Sequence, residues 1–208
     1  MTADVDEART GEILGKPPRI APADRAAVGA EVQALTSRVR GEVVGDYALL
    51  PIEVLPEIMF TMSRHGELWD RILALSTQVQ GPRGVLAPRD RQIAILRTAW
   101  LLQAPYEWGE HVKHGKKIGL TAPEIEGIIE GSGAALWSDE DRAVLRAAEE
   151  TRDDCYVSDA TWAALAARMD ERQLIELLVV IGHFTNLASL QNSLRLRPER
   201  GNLGLATR

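Results

Sequence analysis

The residues of this chain best suited to chemistry gather in one stretch, Pro105-Tyr106-Glu107-Trp108-Gly109-Glu110-His111-Val112-Lys113-His114. On a helix, Glu107 and His111 are i and i+4, so a carboxylate and an imidazole lie one turn apart on one face. His114 extends that face. An imidazole titrates near neutral pH and is the usual proton donor or acceptor. Glu107 falls in the first helical turn, where the helix dipole favours an anion. The pair points to general acid/base chemistry, with His111 as proton donor or shuttle and Glu107 orienting it or polarising a substrate. The competing reading is a structural pair in a subunit interface.

Further candidates stand around this pair. A carboxylated substrate beside Glu107 would need a cation, and Arg97, inside an apolar segment, is the candidate. A buried guanidinium is costly unless paired, so Arg97 must meet Glu107, Glu176 or a bound acid. Tyr106 and Trp108 are packing residues or substrate contacts. His183 sits in the apolar run Val179-Val-Ile-Gly-His-Phe184 and is a core histidine or a pocket wall. Glu107, His111 and His114 share a face, but their order is not HExxH and no further carboxylate spacing supports zinc, so no metal is expected. Cys155 is the single cysteine, which excludes an intramolecular disulfide and any CxxC pair.

Composition narrows the function classes. Lys plus Arg is 24 and Asp plus Glu is 30, a formal net charge of −6. A nucleic-acid binder would show a basic surplus, so none is expected. Residues 1–20 lack the apolar run of a signal peptide, and no stretch reads as a membrane span. The expectation is a soluble, cytoplasmic protein with a small-molecule substrate.

The elements that must position the pair read as helices. Residues 1–20 show little periodicity and end in Pro17-Pro18, which suggests a mobile arm or a strap over a neighbouring subunit. From Pro22, Val28, Val32, Leu35 and Val39 recur at helical spacing until Gly41 and Gly45. Tyr47 to Pro56 reads as an extended apolar strap. Helices then resume near Glu57 and again after Gly66. Pro88 suits the first turn of a central helix whose Ile93 to Leu102 are apolar nearly all round. Thr121-Ala-Pro-Glu124 reads as a capping box, Ser138 and Ser158 as further caps, and Asp170 to Leu194 as the last long helix. No alternating strand pattern occurs. The chain is expected to be all-α, with one domain over residues 21–194 and an Arg/Gly tail over 195–208. Asp90-Arg-Gln-Ile93 recurs as Glu171-Arg-Gln-Leu174, an offset of 81 residues, which suggests an internal helical duplication. In that register Glu107 falls on Ala188 and His111 on Asn192, so only one copy carries the pair.

The run Leu86-Ala-Pro-Arg-Asp-Arg-Gln-Ile-Ala-Ile-Leu-Arg-Thr-Ala-Trp100, followed by Tyr106-Glu-Trp-Gly-Glu-His111 and Gly119-Leu-Thr-Ala-Pro-Glu-Ile125, resembles the carboxymuconolactone decarboxylase family, which shares its fold with AhpD-type alkylhydroperoxidases. The resemblance implies an AhpD-like helical bundle whose subunits interlock as trimers or hexamers, with a pocket near the interface. In the peroxidase branch a CxxC precedes the histidine. Here Ala104 and Glu107 occupy those cysteine positions, and Gln92 stands where that branch carries a glutamate. The decarboxylase branch keeps the Glu/His pair and uses no cofactor. The resemblance therefore implies a cofactor-independent decarboxylase, lyase or isomerase acting on a small carboxylated or lactone-like metabolite, with Glu107 and His111 catalytic. Arg97, Trp108, Tyr106, Gln92, His114 and His183 are then candidates for lining its site. An alkylhydroperoxidase-type redox protein, or an oligomeric ligand-binding protein without turnover, is the alternative.

Overall fold

The helix Pro88–Leu101 (α5) is buried on almost every side because other helices pack around it. A computed structural model describes residues 2–44 and 50–208 of the chain. Before the central helix come α1 (Thr2–Leu14), α2 (Arg25–Val44), α3 (Glu57–Met62) and α4 (Gly66–Gln80). After it come α6 (Pro105–Lys117), α7 (Ala122–Glu130), α8 (Asp139–Asp154), α9 (Asp159–Ala166) and α10 (Glu171–Leu194). Among the described residues there is no strand. Ile93, Ala94, Ile95 and Leu96 are fully buried at the centre, packed by α6, α7, α8 and α10. Burying four such side chains supplies on the order of 1–3 kcal/mol each.

Local sequence sets the ends of these helices. Pro88 and Pro105 occupy first turns, where a missing N–H costs nothing. Thr121 and Glu124 form a reciprocal capping box, Ser138 and Ser158 cap α8 and α9, and Asp170 with Gln173 forms a second box at α10. The break between α5 and α6 turns at Gln103, whose φ is +49°. Because Gln92 near the start of α5 meets His111 on α6, the two helices run antiparallel. In the register of the 81-residue echo, α10 runs on unbroken where α5 and α6 separate.

Ion pairs and hydrogen bonds tie the helices together around the core. Arg168 makes two 2.8 Å hydrogen bonds to Asp90 at the start of α5. Arg89 bridges Asp141 and Glu124, joining α5 to α7 and α8. Glu176 accepts the N–H groups of Val85 and Leu86. A second apolar cluster joins α2, α3 and α4 through Val32, Val39, Phe60, Trp69 and Leu73 and reaches Tyr106 and Leu196.

Several expectations from the sequence change here. Residues 2–14 form a helix, anchored by the buried Ile13, although their pattern shows little periodicity. Gly41 lies within α2 instead of stopping it, while Gly45 and Tyr47 to Leu49 fall outside the described residues. Ile52–Val54 is a 3-10 turn between two extended prolines. The Arg/Gly tail, 195–208, packs on the bundle: Leu196 and Leu205 are buried and Gly204–Ala206 forms a 3-10 turn against α6. By length and mean hydropathy (1.4) α10 could cross a bilayer, contrary to the sequence reading, yet its Leu177, Val180, Ile181, Phe184 and Ala188 are buried in this core.

Candidate functional site

Glu107 and His111 project from the first two turns of α6 toward α5 and α10. Both are 4% exposed. His111 Nε2 lies 3.3 Å from Glu107 Oε2, the distance that i,i+4 spacing delivers. The other ring nitrogen, Nδ1, is 2.9 Å from Gln92 Nε2, and the same amide nitrogen donates to the His111 carbonyl at 2.8 Å. A group facing a carbonyl oxygen must be the amide N–H, so the orientation of the Gln92 amide is fixed. Its second N–H then needs a lone pair on Nδ1. Neutral His111 therefore carries its proton on Nε2, directed to the carboxylate side.

The carboxylate has a second partner. Gln191 on α10 donates its amide N–H to Glu107 Oε1 at 2.6 Å. The Gln191 carbonyl oxygen is buried and has no partner among the described residues. Phe184, two turns earlier on α10, sets its ring edge-on to His111 at 4.9 Å between centroids. His114 stacks edge-on from the other side at 5.3 Å. His114 as a whole is exposed, but partial loss of hydration where its ring meets His111, then the His111 and Lys117 charges, push its imidazole down to about 4. Because Gln191 meets Glu107 and Phe184 meets His111, α10 also runs antiparallel to α6.

The remaining candidates fall into two groups. Gln92 and His114 join the pair directly. His183 stays close: its Nε2 is 2.7 Å from Ser76 Oγ on α4, and its ring meets Phe184 edge-on at 5.5 Å. Burial holds the His183 imidazole below its ordinary range, with the Glu107 charge opposing. Arg97 is not brought to the pair. It bonds Glu149 at 2.8 Å and the carbonyls of Ile128 and Ile129, over Gly131, where a Cβ would fall 2.4 Å from the guanidinium. Neither Glu107 nor Glu176 is its partner. Trp108 is fully buried, donates to the Thr207 carbonyl and packs on Trp100. Tyr106 donates to Glu199 at 3.0 Å; burial first, then that carboxylate, raises its phenol well above the ordinary range. Both aromatics join the C-terminal segment to α6 and do not face His111.

Sequence reasoning passed over Gln191, Phe184 and Ser76. Gln191 had a signal, being an amide in an otherwise apolar face of α10. Gly109 was also unread: Asn202 fits so closely against it that a Cβ would sit 1.8 Å from the amide oxygen. Among the described residues no group of three or more His, Cys, Asp or Glu side chains has metal-binding geometry. Cys155 is exposed at the left-handed cap of α8 and has no part in the cluster. One groove of about 320 Å³ lies between α2 and α4, and another of about 810 Å³ between α1 and the C-terminal turn. Neither includes Glu107 or His111.

Residues 66–150, which hold α4 to α7, most of α8 and the Glu107 and His111 pair, match the carboxymuconolactone decarboxylase family. No curated protein matches the sequence. Among solved structures, the chain is similar to an alkylhydroperoxidase AhpD core, an uncharacterized peroxidase-related protein from Ralstonia eutropha JMP134. That likeness has a TM-score of 0.72 at 15% identity and covers 89% of this chain and 94% of that one. A protein of unknown function from Agrobacterium tumefaciens gives a TM-score of 0.60 at 18% identity, over 66% of this chain and 94% of that one. The debrominase Bmp8 gives 0.64 at 14% identity, over 88% and 92%. Over this central segment the chain is similar to the carboxymuconolactone decarboxylase family, and its fold is the AhpD-like helical bundle.

Proposed function

We propose that this protein is a cofactor-independent acid/base enzyme of the decarboxylase or isomerase type, acting on a small carboxylated or lactone-like metabolite. The observation that carries the reading is the oriented pair: His111 with its proton on Nε2, 3.3 Å from a Glu107 carboxylate that Gln191 holds from the far side. Loss of CO2 from an acid beside an unsaturated lactone breaks a C–C bond and leaves its electron pair in a dienolate. His111 Nε2 gives its proton to carbon as Glu107, protonated from solvent for this step, returns one to Nε2, so the ring ends neutral and Glu107 ends as the carboxylate that orients it. The orphaned Gln191 carbonyl can accept a substrate hydroxyl or a water. Because both residues are 4% exposed, substrate reaches them only when covering side chains move.

The same proposal includes a homo-oligomer, a trimer or hexamer, in the cytoplasm. Ile175, Leu178 and Val179 expose 63%, 38% and 38% of their surface along α10, an apolar strip that a second copy would cover. The site lacks the thiol that redox chemistry would need, since Ala104 and Glu107 stand at the cysteine positions of the peroxidase branch. The test is decarboxylation of a γ-carboxylated lactone followed in D2O, with deuterium appearing at the protonated carbon. His111→Ala and Glu107→Gln should each lower kcat by about 10²–10⁴ with helicity retained. Unchanged turnover in both variants ends the assignment.

A further inference from the structure

At the C-terminal end of α10 the fold draws arginines from both ends of the chain to one groove. A cavity of about 180 Å³ is lined by the polar side chains of Arg9, Glu12, Arg19, Asn192, Ser193 and Arg195. Three guanidinium groups thus face one carboxylate, in a chain whose net charge is −6. Arg9 is occupied by Glu12 at 2.9 Å. Arg19 and Arg195 make hydrogen bonds only through their backbones, and their guanidinium groups have no partner among the described residues.

Helix capping does not account for these two side chains. The exposed carbonyls of the last turn are already taken by backbone N–H groups: Gln191 by Leu196, Asn192 by Arg195, and Leu194 by Arg19. Arg195 also stands at the left-handed cap, φ +55°, a position that favours glycine. The neighbouring Arg197 is different, because its guanidinium is spent on the carbonyls of Leu14 and Lys16. What distinguishes Arg19 and Arg195 is unspent donor capacity at the wall of a cavity.

We infer that this groove binds a compact oxyanion carrying two or more negative charges, a phosphate group or a short dicarboxylate, between Arg19 and Arg195. The cavity holds roughly six water volumes, which suits such an anion. Guanidinium forks match oxyanions through paired charge-assisted hydrogen bonds, and the Ser193 hydroxyl adds a neutral partner, while the Asn192 amide is spent on the carbonyls of Leu102 and Gln103. Binding would tie the segment after α1 to the end of α10.

Calorimetry of the full chain with inorganic phosphate and with succinate, at ionic strength fixed by NaCl, tests the inference and separates the two sources. Saturable binding of one or both is expected, weakened at least about tenfold in the double variant Arg19→Gln, Arg195→Gln. Arg200→Gln, an exposed arginine outside the groove, should bind as the parent does. Glu12→Gln removes the competing carboxylate and should tighten binding, a gain that misfolding cannot imitate. Heats no larger than those of added chloride, or full binding retained by the double variant, would overturn the site.

Discussion

One amide of Gln92 holds His111 at two points, 2.9 Å from Nδ1 and 2.8 Å from the backbone carbonyl, across the α5/α6 packing. A side chain that spends both N–H groups on one histidine sets the ring plane and the tautomer together. That arrangement leaves Nε2 as the only ring atom with a proton to give. Replacing Gln92 with Leu removes both constraints while keeping most of the volume. Activity should fall about 10- to 100-fold, the usual cost of losing the group that orients a functional histidine. Nitrogen NMR of His111 should show the Nε2–H tautomer in the parent and a mixture in the variant. A single unchanged tautomer in the variant would refute the role given to Gln92.

Gln191 bears on the same site from the other side. Gln191→Glu would put a second carboxylate 2.6 Å from Glu107 Oε1, and two buried carboxylates so close must share a proton. The pair then binds a proton more tightly folded than unfolded, so stability falls as pH rises through the carboxylate range. The variant should lose about 1–3 kcal/mol at pH 8 and recover part of it at pH 5. Denaturant melts at the two pH values measure this. An equal loss at both would mean that Glu107 and Gln191 are not in contact.

What could be read in the sequence was local. Glu107 and His111 are linked by one helical turn, the Thr121 and Glu124 box by three residues, and the burial of α5 was signalled by apolar residues around nearly all of its later turns. What could not be read depends on helices meeting across long stretches of chain. Gln191 reaches Glu107 over 84 residues. The duplication register even drew attention to Ala188 and Asn192, on either side of it. For Arg97 the sequence showed that a partner was needed without saying which. Glu176 looked suitable but turns to the N–H groups of Val85 and Leu86, and α8 brings Glu149 instead. Trp108 looked like a site aromatic because nothing local reveals that Thr207, 99 residues on, receives its N–H.

The Arg97 pairing makes a sharp contrast with the catalytic proposal. Arg97→Met should destabilise the fold by about 3 kcal/mol, because it leaves Ser132 as the remaining partner of the Glu149 carboxylate and strands the carbonyls of Ile128 and Ile129. The KM of the folded fraction should be unchanged, since the guanidinium points away from the pair. A raised KM without loss of stability would return Arg97 to the substrate.

Histidine titration gives a pH dependence with a definite sign. Burial holds His183 below its ordinary range, and His114 is pushed down to about 4. The unfolded chain therefore binds protons on these residues before the folded one does, so stability falls as pH drops from about 6.5 toward 4. Carboxylates held low by their partners, Glu124 by Thr121 and Arg89 and Glu150 by Ser158 and Thr161, act in the same direction at lower pH. His114→Gln should flatten the upper part of that slope, since an amide cannot titrate. It should leave the packing of Phe184 on His111 in place. Melting temperatures across this range, for parent and variant, decide the matter, and identical slopes would show that His114 titrates alike in both states.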